Sequence, residues 1–329
     1  MATGPTDIPT DAIAGDVEAG AADAFGLLAD ETRLAILLVL WTAYDPTAED
    51  NAVPFSEIFD RVDYDSAGNF NYHLQQLEGQ FIDQPGEGEG YRIRTTGLKF
   101  VRSILAGAGV RDVTLEPTEI AHPCPFCDAP TTVSYRDGAV RHTCTTCAGS
   151  APADADDEGL LSVVPFDPAG VRERTAEEVW AASTVAALRS ARSLYEGLCP
   201  ACSGAVDGWF ECPDGADAGG DDDEDGSAPR PSVRAHFRCR TCRNHKIEPP
   251  RGLALFHPAM VSFHREHGGS THVRADDPAS VARYYELVDG HEVEIVSDTP
   301  RRVAVTAAYG DDTLRLTFDD TVRVIDVTR

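Results

Sequence analysis

Lysine is nearly absent from this 329-residue chain: Lys99 and Lys246 stand against 26 Arg, 34 Asp and 21 Glu. The net charge of −27 comes from short carboxylates that hold water and cations at the surface, so it reflects the solvent more than a basic partner and does not argue against nucleic acid. Long apolar runs are missing as well. The longest, Leu34 to Trp41, falls far short of the ~20 residues that a membrane helix needs, so no membrane partner is expected. No phosphate-cradling Walker loop and no glycine fingerprint for a dinucleotide occurs, which removes the common signatures of nucleotide chemistry. Nor is there an apolar export core between Met1 and Gly20, where Pro5, Asp7, Pro9, Asp11 and Asp16 stand. The sequence therefore predicts a cytoplasmic protein whose thiols stay reduced.

Cysteine, by contrast, is present in a pattern. Cys124 and Cys127 are followed after sixteen residues by Cys144 and Cys147, and Cys199 and Cys202 are answered by Cys239 and Cys242. A CxxC pair bends into a knuckle whose two thiolates converge on one ion, and two facing knuckles close a tetrahedron. The expectation is two structural Zn2+ sites, each closed to substrate and water. Disulfides or an iron site are the alternatives that compartment and spacing disfavour. Between the first two knuckles, Thr131 to Tyr135 and Ala139 to Thr143 read as strands joined at Asp137-Gly138, a strong hairpin turn. Residues 118–150 thus form a first zinc ribbon, too short and too polar to bury a core of its own, so that metal must supply its stability. A closed four-cysteine site does not activate water, so no enzyme is expected.

The rest of the chain divides by composition. Residues 1–20 read as a disordered tail, small and acidic. Residues 160–196 read as a short strand, Leu160 to Pro165, and a linking helix from Thr175 to Glu196. Residues 197–250 read as a second ribbon broken by an acidic disordered insertion at 214–228, where seven of the thirteen residues from Asp214 to Gly226 are Asp or Glu. The ribbons resemble an internal repeat, each followed by a proline-bearing apolar segment, VVPFDPAG and IEPPRGL. Trp209 and Phe210 fall on the hairpin of the second ribbon, where packing is favoured over base stacking. Cys212 is a ninth thiol that neither quartet needs. Residues 251–329 form a small α+β domain, with a helix near His257 to His267 and an antiparallel β-meander at the end. His257, His264, His267 and His272 are weak candidates for a third metal site, since no cysteine or carboxylate stands at ligand spacing beside them.

Residues 21–110 have another character. Asp30 is placed to cap a leucine-rich helix, Phe55 to Val62 forms a second, and Phe70, Leu74 and Leu77 give helical spacing to a third over about 66–80. A hairpin wing follows over 81–94, then a helix from Thr95 to Leu105. The segments FGLLADETRLAILLVL, SEIFDRV and SAGNFNYHLQQLEGQFI resemble the ArsR-type winged helix-turn-helix regulators, in particular haloarchaeal members with zinc ribbons after the winged domain. The abundance of Asp and scarcity of Lys are similarly like those of salt-in halophilic proteins. The resemblance implies double-stranded DNA as partner, a homodimer built by the first and last helices, and a third helix in the major groove. Carried over by position, Asn69, Asn71, Tyr72 and Gln75 become base or phosphate contacts, and amides there suit the N6/N7 edge of adenine. Arg92 and Arg94 on the wing face phosphate. His73 is expected to hold the recognition helix in place. Phe55 to Gln80 contains no cysteine, which argues against metal sensing at the helix-turn-helix.

The expected architecture is therefore multidomain α+β: a winged helix-turn-helix, two four-cysteine zinc ribbons and a C-terminal meander. The expected function is DNA-binding transcription regulation, with the ribbons as a structural or partner-binding module. The alternative is a zinc-ribbon adaptor that binds protein or RNA and whose winged helix does not read DNA. Residues 21–110 carry 14 acids and 6 bases, and the lack of bases on 66–80 keeps that alternative open.

Overall fold

The computed structural model describes residues 26–86, 88–107, 113–149, 158–212 and 233–329. The tail expected over 1–20 and the acidic insertion expected over 214–228 lie outside the described residues. The chain divides into two compact units, Met1–Gly109 and Val110–Arg329.

The described residues of the first unit include a helical turn at 26–28, four longer helices and a hairpin. Helix α1 (Glu31–Ala43) starts where Asp30 accepts from the Arg33 N–H at 3.0 Å, satisfying one of the amides that a helix start leaves orphaned. Helix α2 (Phe55–Val62) ends at Asp63, which turns the chain with φ 54°. Helix α3 (Ala67–Leu77) is shorter than the span of 66–80 expected for it. Its last turn closes through Glu78 N–H to the Leu74 carbonyl, and Gly79 at φ 82° takes the chain out of the helix.

Strands β1 (Ile82–Asp83) and β2 (Arg92–Ile93) pair antiparallel, with Ile82 opposite Ile93. Tyr91 extends the hairpin by exchanging two backbone hydrogen bonds of 2.9 Å with Val53. Gly90 makes this approach possible: its φ is +90°, and a Cβ there would lie 2.7 Å from the Val53 carbonyl oxygen. Helix α4 (Thr95–Ala106) completes the unit. Ile36, Leu37 and Leu40 of α1, Ile58 of α2, Phe70, Leu74 and Leu77 of α3 and Val101 of α4 form one core with Ile82 and Ile93. Burial of each large side chain contributes roughly 1.5–3 kcal/mol.

The described residues of the second unit form three sheets. Strands β3 (Leu115–Ile120), β4 (Thr131–Arg136), β5 (Ala139–Cys144) and β6 (Leu160–Pro165) form an antiparallel sheet in chain order. Asp137 and Gly138 both have positive φ, 53° and 74°, which is the two-residue turn that matches strand twist. The long helix α5 (Ala176–Tyr195) opens with a capping box between Thr175 and Glu178. It is followed by the sheet β7 (Val206–Glu211), β8 (Arg234–Cys239) and β9 (His245–Glu248). Helices α6 (Pro250–Leu253), α7 (Pro258–Glu266) and α8 (Pro278–Asp289) lead to the meander β10 (Glu292–Asp298), β11 (Arg301–Tyr309), β12 (Asp312–Phe318) and β13 (Val324–Thr328).

The stretches expected as separate pieces, 118–150, 160–196, 197–250 and 251–329, share cores. The first cysteine sheet takes in β3 and β6, and α5 lays Val179, Trp180 and Ala181 on Val133, Tyr135 and Val140, with Val281 of α8 added. Near its C-terminal end the same helix contributes Leu194 to a second core with Ala235, Phe237, Leu253, Phe263, Leu316 and Phe318. The expectation that metal alone stabilises the first ribbon is thereby corrected, because its sheet has an apolar backing from elsewhere in the chain.

Candidate functional site

The eight paired cysteines form two tight quartets. In the first, Sγ of Cys124 lies 3.6 Å from that of Cys147, and Sγ of Cys127 lies 3.5 Å from that of Cys144. In the second the matching separations are 3.6 Å for Cys199 with Cys242 and 3.5 Å for Cys202 with Cys239. Within each quartet all four sulfurs lie within 4.8 Å of one another. Zinc–thiolate bonds of ~2.3 Å require tetrahedral edges of about 3.8 Å, whereas a disulfide needs about 2.05 Å. The residues fit two structural zinc sites, and no described cysteine is in a disulfide.

Local backbone geometry positions the thiols. In each knuckle the first cysteine, Cys124, Cys144, Cys199 or Cys239, is buried, while the second is more open to solvent. Backbone N–H groups turn onto the buried sulfurs: Thr146 and Cys147 donate to Cys144 Sγ at 3.3 Å, and Thr241 donates to Cys239 Sγ at 3.4 Å. Burial opposes ionisation of Cys144, but the amides of Cys147 and Thr146 together with the Cys127 and Cys147 thiols outweigh it and bring the thiol down to about 7. Cys199 falls to about 6 in the same way, with the amides of Cys202 and Ala201, the Cys242 thiol and the Asn244 side chain together overcoming burial. Such donors stabilise the thiolates that a metal needs. Behind the second knuckle of the first site, Gly159 takes φ 82°, and a Cβ there would sit 2.3 Å from the Cys144 carbonyl oxygen.

The two sites repeat at the backbone. Thr131 pairs with Cys144 four residues after Cys127, and Val206 pairs with Cys239 four residues after Cys202. Each sheet then adds a third strand after the second knuckle, β6 or β9. The proline-bearing segments that the sequence marked as repeated begin in these strands, at Val163 in β6 and at Ile247 in β9.

Helix α3 places Asn69, Tyr72 and Gln75 on its exposed face, with Tyr72 54% exposed, while Asn71 is half-buried. His73 sits at 3.4 Å from Asp30 Oδ1 and 3.2 Å from the Tyr64 hydroxyl, which ties α3 to the start of α1. Arg92 and Arg94 are used within the unit: Arg92 Nη2 lies 2.9 Å from Asp83 Oδ2 across the hairpin, and Arg94 donates to the Gly79 carbonyl.

The histidines near α7 make hydrogen bonds instead of a third metal site, and among the described residues only the two cysteine quartets group as metal ligands. His257 accepts from Ala259 N–H at the start of α7, and His267 Nδ1 reaches the Phe263 carbonyl at 2.9 Å. His264 and His291 form a buried relay. His291 Nδ1 must donate to the Arg251 carbonyl at 2.8 Å, so its Nε2 accepts from His264 Nε2–H at 2.8 Å, and His264 Nδ1 accepts from the Tyr309 hydroxyl at 2.9 Å. With both rings neutral every nitrogen of the relay has a partner. Burial lowers His264 to about 4, helped by His291 and His267. Cys212 is half-buried and stands outside both quartets.

A feature that sequence reasoning passed over lies on the second cysteine sheet. Arg234 to Lys246 contains five of the chain's 28 bases and no acid, a local reversal of an otherwise acidic composition. The acidic stretch at 214–228 just before it masks it in the composition.

A family model described as a domain of unknown function, DUF7351, matches residues 121–324, and another, DUF7347, matches residues 21–104. No curated protein and no solved structure matches the chain. The two matched segments fall one in each compact unit. With more than half of its length matched by the first, the chain belongs to the DUF7351 family.

Proposed function

We propose that the protein is a DNA-binding transcription regulator of the ArsR-like winged helix-turn-helix type, in which α3 enters the major groove and the β1–β2 hairpin lies along the backbone as the wing. The observation that carries this reading is the outward row on α3. Asn69, Tyr72 and Gln75 recur every three residues on one exposed face, while Phe70, Leu74 and Leu77 anchor the opposite face in the core. Two amides and a phenol on a rigid helix can pair with base edges, adenine N6/N7 above all. Lys99 and Arg102 on α4 add charge for phosphate. Leu105, 42% exposed on α4, supports a homodimer through α1 and α4. The two zinc sites serve as structural centres of a partner-binding module, and the assignment includes no catalysis.

One observation favours the second reading, a zinc-ribbon adaptor without duplex recognition. No base occurs on α3, and Arg92 and Arg94 are engaged by Asp83 and Gly79, so that the wing must release an internal bond to reach phosphate. Selection from a randomised duplex pool separates the two. Enrichment of one palindromic motif by the zinc-loaded full chain, lost on Asn69→Ala with Tyr72→Ala and Gln75→Ala, supports the regulator. Recovery of no motif supports the adaptor.

A further inference from the structure

We propose that the outward face of the β7–β8–β9 sheet binds single-stranded nucleic acid, with a base stacked on Trp209 and neighbouring phosphates held by Arg238 and Arg243. The sheet has two unlike faces. Its inner face is spent on packing, with Ala235 and Phe237 buried in the core beside Val206 and Phe210. A Cβ on Gly208 would lie 3.1 Å from the Thr321 carbonyl oxygen, so that face is closed. The outer face carries Trp209, His236 and His245 on three successive strands. Their ring centroids lie 5.2 Å apart for Trp209 with His236, 5.2 Å for His236 with His245 and 6.0 Å for Trp209 with His245, with interplanar angles of 20°, 25° and 9°. Three near-parallel rings form a preset platform, and Trp209 remains 38% exposed on it. Glu211 fixes it by taking His236 Nε2 at 2.9 Å, while His236 Nδ1 meets His245 Nε2 at 3.1 Å.

Charge selects the occupant. Asp207 is occupied by Arg240 and Glu211 by His236, so both carboxylates of the face are already paired. Arg238 and Arg243 are exposed and make no ion pair among the described residues. Arg238 stands opposite His245 on this face, and Arg243 precedes His245 by two residues in the chain; an aromatic platform with unpaired guanidinium groups at hand suits a base plane next to phosphates. A stacked duplex hides its base planes, so the complementary partner is a single strand. This assignment concerns a surface in Val110–Arg329 and does not rest on duplex recognition by α3.

The test uses the zinc-loaded full chain with labelled oligouridylate, oligothymidylate and a duplex of equal length, read by fluorescence anisotropy across a salt series. The expected result is preference for the single strands over the duplex. Trp209→Ala weakens that binding by roughly ten-fold, and Trp209→Phe retains most of it. Arg238→Ala with Arg243→Ala flattens the salt dependence by roughly 1.4 decades per decade, the loss of two single-strand phosphate contacts. The triple α3 variant leaves single-strand binding unchanged, which keeps this outcome separable from that of the duplex reading. Oligodeoxyuridylate, matched in base to oligouridylate, then shows whether ribose or deoxyribose is preferred. Failure of the full chain to bind either strand, an equal affinity for duplex, or a Trp209→Ala protein with intact zinc content and unchanged affinity overturns the proposal.

Discussion

Cys144 and Cys199 are the thiols that hydrogen bonds from backbone amides and neighbouring side chains bring down to about 7 and about 6, and both belong to closed quartets. Cys144→Ser is expected to lower bound zinc from two ions per chain to one, as Cys239→Ser does for the other site, whereas Cys212→Ser leaves both. Metal analysis of the three purified variants checks this. The His264–His291 relay makes a pH prediction. The folded pKa of His264 lies at about 4, below the ~6.5 of an unfolded histidine, so the unfolded chain takes up the proton first. The contribution of His264 is therefore full above pH ~6.5 and is lost as pH falls toward about 4. His142, lowered to about 4 by burial and by His122, acts in the same window. Thermal melts over this range, with zinc content followed in parallel, should show stability falling before zinc is released, and a shallower fall in His264→Phe. The relay was not legible in the sequence, because His264, His291 and Tyr309 come from α7, the start of the meander and its second strand.

At the scale of the elements, two helical faces carry different duties. Leu74→Ala on the buried face of α3 is expected to cost about 2–5 kcal/mol, whereas Tyr72→Ala on the exposed face should stay within about 0.5 kcal/mol of wild type. Chemical denaturation of the two variants measures both. Phe70, Leu74 and Leu77 announce that buried face by their spacing, and Asp137-Gly138 announces its turn by chemistry. Thr175 and Glu178 close a capping box at the start of a predicted helix. Strand β3 and the sheet partnership of β6 were not visible, since pairing across a separation such as that of Val140 and Val164 leaves no local periodicity. Helix α8 did leave a signal, the Asp277 cap, Pro278 at its first turn and Val281, Tyr284 and Val288 at helical spacing, but the polar loop before it, Gly268 to Asp277, masked the start.

For the molecule as a whole, the cysteine spacing disclosed both metal sites, and composition disclosed the change of character between the two units. What composition could not disclose is that both ribbons and the meander are one compact body, because that depends on α5 supplying Trp180 to one core and Leu194 to another. All eight ligands lie in Val110–Arg329. Calorimetry should therefore resolve two transitions, of which a chelator lowers only the one belonging to that unit. A single transition shifted as a whole would show that the units unfold together. The central claim concerns the other unit, and genome-wide cross-linking in the native host tests it most directly. Wild type should occupy discrete sites that share a palindromic motif, and the protein with Asn69→Ala, Tyr72→Ala and Gln75→Ala should lose them. Occupancy indifferent to those three changes would contradict the assignment of α3 as the reading helix.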